Sequence, residues 1–162
     1  MDNTIKRKIF DSVVWSVSLL FAFGLLTDAA LADSKGMRAT NEKWKTECGS
    51  CHVAYPPNLL PAPAWRRMMT GLDKHFGTDA SIDARTAAEI GAFLENNAGQ
   101  GKRGGASGTL RVSETPWFRR KHDEVAASTW KNPKVQTAAN CTACHAGAER
   151  GDFDEHAVRI PR

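Results

Sequence analysis

Long apolar runs are scarce in this chain of 162 residues. The longest, Val13 to Leu26, falls short of the ~20 residues that a membrane-spanning helix needs. Charge of one sign is scarce as well: the net charge is only +4, which gives no ground for a nucleic-acid partner. Strand signals are weak throughout, which argues against a sheet-based fold and leaves an all-α chain with extensive loops. Methionine is limited to Met1, Met37, Met68 and Met69, so nothing after residue 69 can offer a thioether sulfur. Cysteine is limited to four residues, and all four fall into two short clusters.

Those clusters are Cys48-Gly49-Ser50-Cys51-His52 and Cys141-Thr142-Ala143-Cys144-His145, each a C-x-x-C-H. This pattern reads as a c-type haem attachment site. Two thiols at that spacing can bond the two vinyl groups of one porphyrin, and the following histidine is placed to be the proximal iron ligand. One match could arise by chance; two matches that use every cysteine leave little room for it. Two covalently attached haem c groups are therefore expected, on Cys48 and Cys51 and on Cys141 and Cys144, with His52 and His145 proximal. Disulfides are the other use of cysteine in an oxidising compartment. Thioether attachment consumes all four thiols, so none is expected.

The N-terminus reads as a Sec-type signal peptide over residues 1–32. Lys6, Arg7 and Lys8 precede the apolar run, and Ala30-Leu31-Ala32 is an A-x-A cleavage signal. An uncleaved anchor is the alternative. Export to the periplasm fits haem c, which is attached outside the bacterial inner membrane. Removing residues 1–32 takes away three basic and three acidic residues, so the net charge stays at +4. The glycine-rich stretch 99–108 (GQGKRGGASG) reads as a linker. It divides a first haem domain, 38–98, from a second, 109–162. Halves of this size lie near the limit for a polypeptide core alone, so each haem is expected to serve as core as well as cofactor.

Along the chain, Ala39–Cys48 reads as a helix capped by Thr40 or Asn41 and running into the first motif. Four prolines between residues 56 and 63 forbid a regular helix or central strand, and predict an extended loop carrying Tyr55, Leu59 and Leu60. Over Ala64–His75 the spacing of Trp65, Met68, Leu72 and His75 predicts one helix face. A further helix over Ala84–Asn97 is capped by Ser81 or Asp83 and stopped by Gly99, and is expected to cross the first. Thr115-Pro116 starts a helix that continues through Trp117, Phe118, His122 and Val125. Thr137–His145 reads as the helix delivering the second motif, followed by a polar tail. The first half is thus cytochrome c-like, and the second a small irregular helical unit wrapping its haem.

The second axial position of a haem iron in electron carriers is usually filled by Met or His. For the first haem the candidates are His75, Met68 and Met69. Met68 and Met69 suit core packing better, and His75 follows His52 by 23 residues, enough chain to wrap a disc. For the second haem no methionine is available, and the candidates are His122 and His156. His122 precedes its motif by 23 residues on a packed helix face, whereas His156 lies only 11 residues past His145 among acids and glycine. A rigid ligand helix favours His122 over His156.

The strings ECGSCHVAYPPNLLPAPAWRRMMTGLDKHFG, SETPWFRRKHDEV and CTACHAGAERGDFDEHAVRIPR resemble the small periplasmic dihaem cytochrome c family, DHC. The resemblance covers nearly all of the chain after residue 32. It implies two bis-histidine, low-potential haems and an electron-transfer role, with a small monohaem oxygen-binding cytochrome and an inner-membrane b-type cytochrome as partners. It supports the six motif residues firmly and His75 and His122 as distal ligands. The expected function is a periplasmic carrier of single electrons from a quinol-linked membrane donor to a soluble cytochrome, not an enzyme. The basic run Arg119-Arg120-Lys121 could steer an acidic partner, though a solvated helix face explains it equally. The competing readings are a dihaem peroxidase or a gas-binding haem protein, either of which needs one open iron site.

Overall fold

The first helix forms where Asn41 can satisfy its start. The Asn41 side chain accepts from the Trp44 N–H at 2.9 Å, and helix α1 runs from Glu42 to Gly49. The computed structural model describes residues 40–101 and 108–162, all within one unit, Gly36–Arg162. The signal peptide expected over 1–32, Met37 and the middle of the expected linker lie outside the described residues.

After the first motif the proline-rich segment makes a 3-10 turn, Pro57–Leu59, and its residues from Pro56 to Leu60 are all buried. Helix α2 follows over Ala62–Met69. It stops earlier than the spacing to His75 predicts. The Thr70 hydroxyl donates back to the Arg67 carbonyl, and Gly71 is a poor helix former. Leu72–Lys74 then form a separate 3-10 turn. The chain reverses through Phe76 and Gly77, both left-handed at φ 50° and 99°, and an isolated bridge joins His75 to Thr78. His75 therefore reaches the site from this turn and not from the helix carrying Trp65 and Met68, and Leu72 lies off that helix as well. Helix α3 covers Ala84–Asn96, with the Asp83 carboxylate accepting from the N–H groups of Arg85 and Thr86.

Helix α3 packs on α2 and α1. Trp44 of α1 meets Phe93 at 5.3 Å, and the ion pairs Lys43–Glu89 and Arg66–Glu95 flank the two contacts. Leu60, Ile90 and Leu94 are almost fully buried between these elements, and the Trp65 indole donates to the Pro57 carbonyl at 2.6 Å. Met68 and Met69 pack against the same core. Leu60 has no exposed surface, and the cavity left by Leu60→Ala should cost about 2–5 kcal/mol. Denaturant titration of the haem-loaded protein measures this as a lowered midpoint with an unchanged slope.

In the second half Thr115 caps α4, Pro116–Lys121, accepting from the Phe118 N–H at 3.1 Å while donating to the Val112 carbonyl at 2.8 Å. Val112 sits in a 3-10 turn, Val112–Glu114, and with Phe118 it joins the core cluster of the first half. Helix α4 is shorter than expected: it ends at Lys121, and His122 leaves the helix at φ −126°. A short α5, Ala127–Trp130, follows. The helix predicted over Thr137–His145 does not form. Gln136 is left-handed, the Thr137 hydroxyl takes the Ala139 N–H, and the Asn140 amide bonds both the Val135 carbonyl and the Thr142 hydroxyl. These side chains give the backbone partners that compete with a helix. Only a 3-10 turn, Cys141–Ala143, carries the second motif. Among the described residues there is no strand, and no helix is long and apolar enough to cross a membrane.

Candidate functional site

The end of α1 presents the first motif. Cys48 is half-buried in the last helical turn, Cys51 is exposed, and the Ser50 hydroxyl donates to the Glu47 carbonyl at 2.9 Å to close the turn. The His52 Nδ1 lies 2.7 Å from the Val53 carbonyl, so Nδ1–H donates there and Nε2 keeps its lone pair for a metal. Tyr55 stacks on His52 at 4.8 Å, and its hydroxyl donates to the Ala139 carbonyl, two residues before the second motif. Across from His52 stands His75, its ring at 6.1 Å and only 19° from parallel. Phe76 meets His75 edge-on, and the Arg111 guanidinium covers Phe76 at 4.1 Å. Burial, then the neighbouring His52 and Arg111, lower the His75 pKa, and its buried Nδ1 has no hydrogen-bond partner.

The second motif reaches an equivalent opposition by a different route. The His145 ring lies 6.2 Å from His122 and at 76° to it. His122 stacks on Phe118 at 3.9 Å, and its Nδ1–H donates to the Phe118 carbonyl at 2.9 Å, again leaving Nε2 free. Burial, then His122, lower the His145 pKa, against Asp152, which raises it. A cavity of about 270 Å³ opens here, lined among others by Phe118, His122, Trp130, Cys141, Cys144 and His145. A second space of about 620 Å³ lies between the motifs, touching Cys51, His52, Asn140 and Cys141.

His156 is not brought into the His145 pair. It is exposed and its Nδ1 sits 3.0 Å from the Asp154 carboxylate, which raises its pKa. The tail holding it is nonetheless part of the site, which its polar composition concealed. Phe153 packs on His145 at 5.4 Å, Val158 and Ile160 line the smaller cavity, and the Arg159 N–H donates to the Cys144 carbonyl. The signal available in the sequence was the apolar set Phe153, Val158 and Ile160 spaced through an otherwise charged segment. Trp130 on α5, 5.9 Å from His122, was missed for want of any periodic pattern around it.

The residues fit two haem groups. An imidazole nitrogen lies about 1.1 Å from its ring centroid and metal–imidazole bonds run about 2.0 Å, so two rings sharing one metal would have centroids up to roughly 6.2 Å apart. Both histidine pairs match that spacing, with Nε2 free on His52 and on His122, and with an orphaned polar atom on His75. None of the four cysteines is paired in a disulfide, and burial pushes the thiols of Cys48 and Cys141 up to about 11. No cluster of three or more His, Cys, Asp or Glu side chains placed to hold a bare metal ion occurs among the described residues.

The family model for dihaem cytochrome c matches residues 44–153. A dihaem cytochrome c from Rhodobacter sphaeroides is 46% identical with a TM-score of 0.65, covering 70% of this chain and 97% of that one. A dihaem type-c cytochrome from Shewanella baltica is 43% identical with a TM-score of 0.66, covering 75% of this chain and 93% of that one. Among curated proteins nothing matches at a significant level.

Proposed function

The chain belongs to the dihaem cytochrome c family and carries two covalently bound haem c groups, and on that premise we propose that it is a periplasmic carrier of single electrons whose two irons are both bis-histidine. Each haem, when bound, supplies an iron that alternates between ferric and ferrous. The observation that carries the proposal is the opposed imidazole pair at each motif, His52 with His75 and His122 with His145. Cys48, Cys51, Cys141 and Cys144 hold the porphyrins. The carbonyls of Val53 and Phe118 orient His52 and His122. Two histidines on one iron, in place of the Met that raises the potential, suit a low-potential carrier, and leave no open position for peroxide or gas chemistry. The hydrogen bond from Tyr55 to Ala139 supports a short path between the two sites.

The donor on this reading is a quinol-linked b-type cytochrome of the membrane and the acceptor a small soluble cytochrome. Arg119 and Arg120 are exposed on the last turn of α4, directly before His122, while Lys121 is shared with Glu155 at 3.6 Å. They favour an acidic acceptor at the second haem. Stopped-flow reduction of an acidic partner cytochrome should slow about tenfold for Arg119→Glu/Arg120→Glu at low ionic strength, and the difference should vanish at high salt. A rate indifferent to both salt and these charges would remove the steering role. Carbon monoxide binding to the reduced wild-type protein would argue for an open iron site and against the carrier.

A further inference from the structure

The two histidine pairs differ in a way that their residue types do not dictate. The rings of His52 and His75 are within 19° of parallel, whereas those of His122 and His145 are crossed at 76°. An imidazole donates π density perpendicular to its plane. Two parallel rings therefore act on the same one of the iron's two π-symmetry d orbitals and split the pair in energy. Crossed rings act on one orbital each and leave the pair nearly degenerate. The unpaired electron of a low-spin ferric ion then retains more orbital angular momentum, and its magnetic anisotropy is larger. Splitting also stabilises the ferric hole, so a site with crossed rings is easier to reduce than the same site with parallel ones.

The crossed arrangement has a visible cause. The His122 imidazole lies flat on the Phe118 ring, 3.9 Å between centroids and 19° from parallel. Its Nδ1–H is tied to the carbonyl of that same residue. Phe118 is itself buried, with its N–H held by the Thr115 hydroxyl and its ring against Trp130 at 6.1 Å. Rotating His122 toward the plane of His145 would lift it from Phe118 and break its bond to the backbone. On the other side of the iron position, Phe153 packs on His145 at 56°. At the first site Tyr55 plays the flat partner to His52 and lies nearly in register with it, at 28°.

We infer that Phe118 is a positioning residue that holds His122 across His145, and that the second haem iron is thereby a strongly anisotropic low-spin centre, electronically distinct from the first. This rests on the reading of both pairs as iron ligands. Electron paramagnetic resonance of the oxidised, full-length dihaem protein at cryogenic temperature tests it, with near-infrared magnetic circular dichroism reporting ligand type independently of ring angle. The expected spectrum has two low-spin signals, one rhombic and one with a much higher maximum g value. Phe118→Leu, which keeps an apolar filler but removes the flat ring, should move or abolish the second signal, leave the rhombic one in place, and make the second haem harder to reduce. Phe118→Tyr, which keeps the ring, should retain both signals. Two rhombic signals together with a bis-histidine charge-transfer band would overturn the inference while leaving the ligand reading intact. A high-spin signal in the wild-type protein would overturn the ligand reading and the inference with it. An anisotropic signal unchanged in Phe118→Leu would remove Phe118 from its role.

Discussion

Replacing His122 with alanine should turn one of the two haems from low spin to high spin and open its ferrous form to carbon monoxide, whereas His156→Ala should leave both haems as they are. The asymmetry follows from how the two side chains are held. His122 faces His145 at 6.2 Å with Nδ1 already bonded to a carbonyl, so its remaining nitrogen is directed to the cavity. His156 is exposed and bonded to Asp154. No methionine follows residue 69, so the second half holds no thioether to replace a lost imidazole. His75→Ala should give the same change at the other haem, where Met68 and Met69 are engaged with the core. Optical spectra of the ferric proteins and carbon monoxide titration of the ferrous ones read the outcome. The reverse pattern, with His156→Ala becoming high-spin and His122→Ala not, would reassign the ligand to the tail and sink the account of the second site.

The chemistry of these sites was far more legible in the sequence than their scaffolding. C-x-x-C-H is readable because covalent attachment fixes both residue type and spacing. Thr115 was legible as a cap, and Asn41 and Asp83 as one of two candidates each beside Thr40 and Ser81, because a cap is a local event between a side chain and an N–H two or three residues on. His122 stood out because no methionine follows residue 69 and because equal spacings of 23 residues separate it from His145 and His52 from His75. The helix expected over Thr137–His145 failed on a contest that periodicity does not weigh. Thr137 and Asn140 spend their side chains on nearby backbone and hold the segment in turns. The helix through His75 failed for a related reason, at Thr70 and Gly71, and the break lets His75 swing toward His52. The tail was unreadable in another sense. Phe153, Val158 and Ile160 acquire a role only against a surface made by residues far away in sequence.

Removing the second attachment site should cost more than the first in folded structure, although each removal takes the same number of haems. Cys141→Ala/Cys144→Ala and Cys48→Ala/Cys51→Ala should each retain one covalent haem in place of two, read by the mass of the denatured protein. The polypeptide left behind differs. Between residues 40 and 101 the buried apolar set includes Trp44, Leu59, Leu60, Trp65, Ile90 and Leu94, held by three helices that pack on one another. Between 108 and 162 it comprises only Val112, Phe118, Val135 and Ala148, and the helices there are six and four residues long. Helices that short are not stable without tertiary partners, and the cavity between Phe118, His122 and His145 is where those partners would have to be. The second haem is thus the main apolar body of its half. Limited proteolysis followed by mass analysis should find Cys141→Ala/Cys144→Ala cut throughout 109–162 with the first half intact, and Cys48→Ala/Cys51→Ala cut mainly near the first motif. Equal resistance of both variants would mean that the second half is held by docking on the first half's core, through Val112 and Phe118, and not by its haem.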